Sequence, residues 1–195
     1  MSDPAIPRLP PFAPAELDAD QRAVYDAIAG GRRAAGPQAF PLTGPDGELR
    51  GPFNAMLLSP PVGGALQAVG AAVRYRSVLD DRGRELAILA VAAHWGSAFE
   101  RAAHEAVGRT AGLTDEDFAA VRTGTVPPSA STAEAVILRV VGALLAAGEV
   151  DDTAYADAVG VVGERGLFEL TTLVGYYSTL ALQLRVFAGE AGDSR

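Results

Sequence analysis

From Pro52 almost to its end the chain reads as one helix after another. Apolar residues recur every three or four positions, and the breaks between runs carry helix start and stop signals. The expected helices are 54–59, 61–78, 81–94, 97–111, 115–122, 132–147, 151–164 and 166–188. Gly112 closes one run, Thr114 with Asp117 forms a variant capping box before the next, and Ser131 with Glu134 forms a regular one. Segments of strand period are too few for a sheet, so the class is all-α. Ahead of this block Pro4, Pro7, Pro10, Pro11 and Pro14 impose an extended arm over 1–14. A helical pattern over 15–29 follows, with Leu17, Val24, Tyr25 and Ile28 on one side and Gly30-Gly31 as its stop. Gly44-Pro-Asp-Gly47, between 40–43 and 48–50, fits the turn of a small hairpin. The expected organisation is the arm, a single helical domain over 15–190 and a tail over 191–195. The clearest internal break, 123–130, divides a half holding both histidines from a half with none. The stretch 167–187 is apolar on nearly all sides, which requires either a central place in its own fold or cover from a partner subunit.

Composition removes whole classes of function. A chain of 195 residues, 49% hydrophobic, can bury a full core without staples. Its net charge of -8 argues against a nucleic-acid surface, and no basic region followed by an apolar run opens the sequence, so a cytoplasmic location is expected. The apolar runs are too short or too interrupted to span a bilayer. All 16 basic residues are Arg, which excludes Schiff-base lysines, the P-loop lysine and pyridoxal phosphate attachment. There are 0 Cys, so neither a disulfide nor a thiol nucleophile is available.

What remains for chemistry near neutral pH is concentrated in the window 84–104, which holds Glu85, Glu100, both histidines (His94 and His104) and the only tryptophan, Trp95. If Gly96 turns the chain and a helix begins at Ser97, then Ser97, Glu100 and His104 fall at i, i+3 and i+7 on one face. Glu85, on the preceding helix, reaches the same place if the two helices pack antiparallel. A carboxylate beside an imidazole favours the imidazolium, and burial of the carboxylate opposes its ionisation, so such a group can hold a transferable proton. A purely structural account also fits. Ser97 with Glu100 is a capping box, Glu100 with His104 an ordinary i, i+4 pair, and Glu85 a first-turn acid facing the helix dipole. His94 and Trp95 stand at the turn and can line a pocket or simply pack. Asn54, the only asparagine, either caps a short helix or faces a substrate. Arg101, Arg74 or Arg76 could anchor an acidic group by bidentate pairing. His94, His104, Glu85 and Glu100 supply enough N and O atoms for zinc or iron, yet their spacing matches no familiar metal motif, and none is expected.

Four runs carry a resemblance: Gly51-Pro-Phe-Asn-Ala-Met-Leu-Leu-Ser-Pro60, Arg84-Glu-Leu-Ala-Ile-Leu-Ala-Val91, His94-Trp-Gly-Ser-Ala-Phe-Glu-Arg-Ala-Ala-His104 and Ala111-Gly-Leu-Thr-Asp-Glu-Asp117. Together the chain resembles the carboxymuconolactone decarboxylase family, of the alkylhydroperoxidase D superfamily, most strongly over about 50–122. The resemblance implies an all-α bundle of the alkylhydroperoxidase D type, forming symmetric homo-oligomers, commonly trimers or hexamers, with the pocket near a subunit contact. The peroxidase branch is characterised by a Glu, Cys, Cys, His array, and the positions matching its cysteines here are Ser97 and Glu100. The decarboxylase branch works without metal or organic cofactor and has Glu and His where this chain has Glu85, Glu100 and His104. It commonly has Trp after the glutamate, where this chain has Arg101. The implied activity is cofactor-independent decarboxylation, or related proton transfer, on a small carboxylated or lactone substrate. His104 is then the general acid, Glu100 orients it, and Glu85 is a second proton carrier. His94, Trp95, Ser97, Arg101 and Asn54 are the candidate substrate-binding residues. The alternative is a non-catalytic helical homo-oligomer that binds a small acid or a protein partner.

Overall fold

The computed structural model of the chain describes residues 8–35 and 39–188; the first seven residues of the expected arm and the tail over 191–195 lie outside them. The helices are α1 (Ala19–Ala29), α2 (Pro52–Met56), α3 (Pro60–Tyr75), α4 (Asp81–Trp95), α5 (Ala98–Thr110), α6 (Asp115–Arg122), α7 (Thr132–Ala147) and α8 (Asp152–Gln183), with a π-helical turn over Leu184–Ala188 and 3-10 turns at Pro14–Glu16 and Arg32–Ala34. The strand-like pairing among the described residues is one antiparallel bridge between Thr43 and Leu49. Gly44 N–H donates to the Glu48 carbonyl at 2.8 Å and Arg50 N–H to that of Leu42 at 3.0 Å, which is the hairpin expected around Gly44 to Gly47.

The helix boundaries follow from local chemistry. Both expected capping boxes form, Thr114 with Asp117 and Ser131 with Glu134. A third, Asp18 with Gln21, starts α1 four residues later than the periodicity suggests. The short helix expected over 54–59 starts earlier, at Pro52, because proline fixes φ and its missing N–H is not needed in a first turn. The last two expected helices run together as α8, broken at Gly163, whose φ of 71° and ψ of 170° lie outside helical space.

Two helices form the middle of the molecule. α4 packs against α5, α6, α7 and α8, and Leu86, Ala87, Ile88 and Val91 are fully covered. α8 packs against α3, α4 and α7 and buries Leu170, Leu173, Tyr176, Tyr177 and Leu180. The apolar C-terminal stretch is thus central within its own chain. Each such fully buried aliphatic side chain contributes about 1.5–3 kcal/mol. A smaller cluster of Leu86, Leu89, Leu113, Phe118 and Val121 joins α4 to α6. On the same side the Arg82 guanidinium ties three segments together, meeting Glu134 at 2.7 Å, Asp117 at 3.2 Å and the Gly112 carbonyl at 2.6 Å.

Candidate active site

The site is built on a helical hairpin. Asp80 caps α4 by accepting from the Gly83 N–H at 2.8 Å, which sets the register that turns Glu85 inward. α4 ends at Gly96 with φ 60° and ψ 37°, the left-handed conformation that glycine adopts at little cost. Ser97 then caps α5 and is itself buried. With only Gly96 and Ser97 between the helices, α5 folds back along α4 and His104 comes level with Glu85.

The resulting contacts are short. His104 Nδ1 lies 2.6 Å from Glu85 Oε2, and its Nε2 lies 3.5 Å from Glu100 Oε2. Glu85 is wholly enclosed, and Glu100 and His104 are each 3% exposed. Burial alone would raise the Glu85 carboxyl pKa; the charge and hydrogen bond of His104, helped by Arg74 and Arg84, outweigh it and hold Glu85 below its ordinary value. An ionised Glu85 can only accept, so Nδ1 carries the proton between them and Nε2 is left facing Glu100. Ser97 N–H donates to the Ala92 carbonyl at 2.9 Å, so the reciprocal half of the expected capping box is met by backbone while the Glu100 carboxylate lies beside the imidazole. Among the described residues no group of three or more His, Asp or Glu side chains is arranged to hold a metal ion.

The five candidate substrate-binding residues do not converge. Trp95 donates from Nε1 to Ser178 Oγ at 2.9 Å and stacks beneath Arg185, fastening α4 to α8. Asn54 does not cap its helix, a position that belongs to Gly51; it accepts from Phe12 N–H at 3.0 Å and donates to the Pro10 carbonyl at 3.1 Å, clamping the arm. Ser97 is a helix cap. His94 lies nine residues after Glu85, on the opposite face of α4, and lines a separate cavity of about 540 Å³ with Arg122 and Arg139. Arg101 lines a small crevice between α4, α5 and α6.

Other side chains surround the Glu–His group instead. The Tyr177 ring meets the His104 ring edge-on at 5.1 Å, and Tyr176 meets Tyr177 in the same way at 5.1 Å. Burial, then Glu100 and Glu85, push the Tyr177 phenol well above its ordinary pKa, so it stays neutral. Burial pushes Tyr176 up to about 12, with Arg33 pulling the other way. Arg33 is 8% exposed and lies over the Phe53 ring. Arg84 pairs with Asp81 at 2.8 Å and sits 3.7 Å from Glu85. The signal that could have found the tyrosines was the pair of hydroxyls, Tyr176 and Tyr177, inside a stretch otherwise fit for a core.

Residues 60–143 match the model of the carboxymuconolactone decarboxylase family, a span that continues through most of α7, beyond the region where the motif resemblance is strongest. Over that span, a little under half of its length, the helical chain is similar to the carboxymuconolactone decarboxylase family. The chain carries this likeness with 0 Cys. No curated protein matches the chain. A protein of unknown function from Agrobacterium tumefaciens, described as a candidate antioxidant defence protein AhpD, is similar in structure with a TM-score of 0.63 at 20% identity, over 74% of this chain and 100% of its own. The debrominase Bmp8 is also similar. A cysteine-to-alanine variant with 2,3,4-tribromopyrrole gives a TM-score of 0.71 at 9% identity, over 98% of this chain and 95% of its own. The apo form gives 0.68 at 9% identity, over 98% and 94%. These likenesses establish the fold. Among the described residues no helix is long and apolar enough to cross a membrane.

Proposed function

We propose that the chain is a decarboxylase-like enzyme acting on a small carboxylated or lactone substrate by proton transfer through its own glutamates and histidine, with no cofactor. The observation that carries this reading is the 2.6 Å contact between Glu85 and His104 Nδ1, with His104 Nε2 turned to Glu100. In this reading the two glutamates exchange the roles that the resemblance implies: Glu85 orients the imidazole and stabilises its cation, while Glu100 stands on the proton-exchanging side. In the reaction, the bond to the leaving carboxylate breaks and its electron pair moves into a conjugated carbonyl, giving an enolate and CO2. His104 then delivers the Nε2 proton to the carbanionic carbon and is reprotonated through Glu100. The family's name supplies the substrate to try, 4-carboxymuconolactone. Thiol peroxidase chemistry is excluded, since the chain has 0 Cys. The reading carries with it a homo-oligomer, a trimer or hexamer, as the resemblance implies.

The near-complete burial of the Glu–His group favours a second reading, a non-catalytic protein that binds a small acid. Turnover separates the two. His104→Ala should abolish CO2 release from 4-carboxymuconolactone, and Glu100→Gln should lower kcat about 100-fold or more with the fold intact by circular dichroism. Release by His104→Ala at the wild-type rate would overturn the enzymatic reading.

A further inference from the structure

Two aromatic rings away from the Glu–His group lies a buried cation whose hydrogen bonds the described side chains do not complete. Arg33 stands on the 3-10 turn Arg32–Ala34, and its Nε and Nη2 are buried without a hydrogen-bond partner. The Tyr176 hydroxyl is in the same condition, as is Glu85 Oε1. The first two atoms share one place in the fold. A Cβ built on Gly70 would fall 2.1 Å from the Tyr176 hydroxyl and 2.5 Å from Arg33 Nη2, so both press against the glycine where α3 passes. From there the rings of Tyr176, Tyr177 and His104 follow one another edge to face at 5.1 Å steps.

A guanidinium taken out of water with only the Tyr176 phenol oxygen as a near acceptor destabilises a fold. Phe53 offers its ring face to Arg33, and that cation–π contact recovers only part of such a cost. Placing a cation there is sensible if an anion arrives. The arrangement suits a planar acid, because Arg presents paired N–H donors and the adjacent phenol stays neutral as a further donor. A cavity of about 400 Å³, lined by Ala29, Ala34, Pro41, Leu42 and Thr43, touches the turn that carries Arg33 through Ala34.

Resting on the proton-transfer reading above, we infer that Arg33, with the Tyr176 hydroxyl, is the anchor for an acidic group that the substrate keeps through the reaction. The retained group is meant, and not the one lost. A cation paired with the leaving carboxylate would hold negative charge where decarboxylation must remove it, and so would bind the ground state better than the transition state. Anchoring a second acid leaves the departing carboxylate to desolvation and turns the reacting carbon toward His104. The substrate class is therefore a small acid with at least two anionic groups. In this reading Arg33 takes the anchoring role that the sequence offers to Arg101, Arg74 or Arg76.

The test uses maleate, a compact dicarboxylate, with maleamide as its uncharged counterpart, and three variants of the full-length protein. Calorimetric titration should show wild type binding maleate and not maleamide. Arg33→Met should lose maleate binding about tenfold or more, while its thermal midpoint without ligand stays at or above that of wild type, because an unpaired buried charge has been removed. Arg33→Lys, which keeps the charge and loses the fork, should bind with intermediate affinity and cover the case of an unfolded Met variant. His104→Ala should keep maleate binding while losing turnover, so failure of the anchor and failure of the catalytic reading give different results. With 4-carboxymuconolactone, Arg33→Lys should raise KM far more than it lowers kcat. The inference is overturned if wild type does not bind maleate, or if Arg33→Met binds it as wild type does and merely melts earlier.

Discussion

Glu85 is the residue on which the site turns. It is held in its charged form without any solvent-exposed surface, because His104 stands 2.6 Å away. Removing it as Glu85→Ala would leave His104 buried without its partner, an expected loss of about 3–5 kcal/mol in denaturant unfolding. Glu85→Gln keeps the volume and should show the linkage to pH. The folded-state pKa of Glu85 is depressed, so its stabilisation is present above the ordinary value of 4.5 and lost as pH falls through the folded value. Wild type should therefore lose stability steeply on the acid side of 4.5, and Glu85→Gln should flatten that limb. The tyrosines have the opposite sign. With Tyr176 raised from 10.0 to about 12, the unfolded chain gives up its proton first, and stability falls between those values. Tyr176→Phe should flatten the alkaline limb; an unchanged slope in both variants would show that neither group reports on folding.

At the scale of elements, the hairpin α4–α5 was legible because its signals are local: the Asp80 cap, the stop at Gly96 and the start at Ser97 lie within one stretch and fix which faces meet. Gly96→Ala, which forces a Cβ into left-handed backbone, should cost about 1 kcal/mol in thermal unfolding and loosen the Glu85–His104 contact with it. The contacts of Asn54 and Trp95 were not legible, for the opposite reason. Their partners, the arm carbonyl of Pro10 and the Ser178 hydroxyl, are distant in sequence and no spacing rule names them. Arg33, Tyr176 and Tyr177 share that difficulty, since a turn near the start and a helix near the end meet only in the packed chain. Arg82 is a similar long-range tie, but a structural one. Arg82→Ala would leave Asp117 and Glu134 buried beside each other without their cation, with an expected loss of about 2 kcal/mol or more, and activity at wild-type level in the surviving fold.

The whole molecule combines a fold shared with proteins of different chemistry and a site in which sulfur has no part. The fold follows from the periodicity and caps of the sequence, whereas the activity depends on which side chains the hairpin and α8 bring together. As a homo-oligomer the chain should sediment at a multiple of 20.1 kDa, and a boundary at that mass alone would contradict the assembly the family resemblance implies. Nitrogen-15 NMR of the imidazole at neutral pH reads the proposed relay itself, in which Glu85 fixes the His104 tautomer and leaves Nε2 to exchange protons. The expected result is a slowly exchanging proton on His104 Nδ1, held toward Glu85, and loss of that preference in Glu85→Gln. A His104 whose proton resides on Nε2, or whose tautomer is the same in wild type and Glu85→Gln, would contradict it.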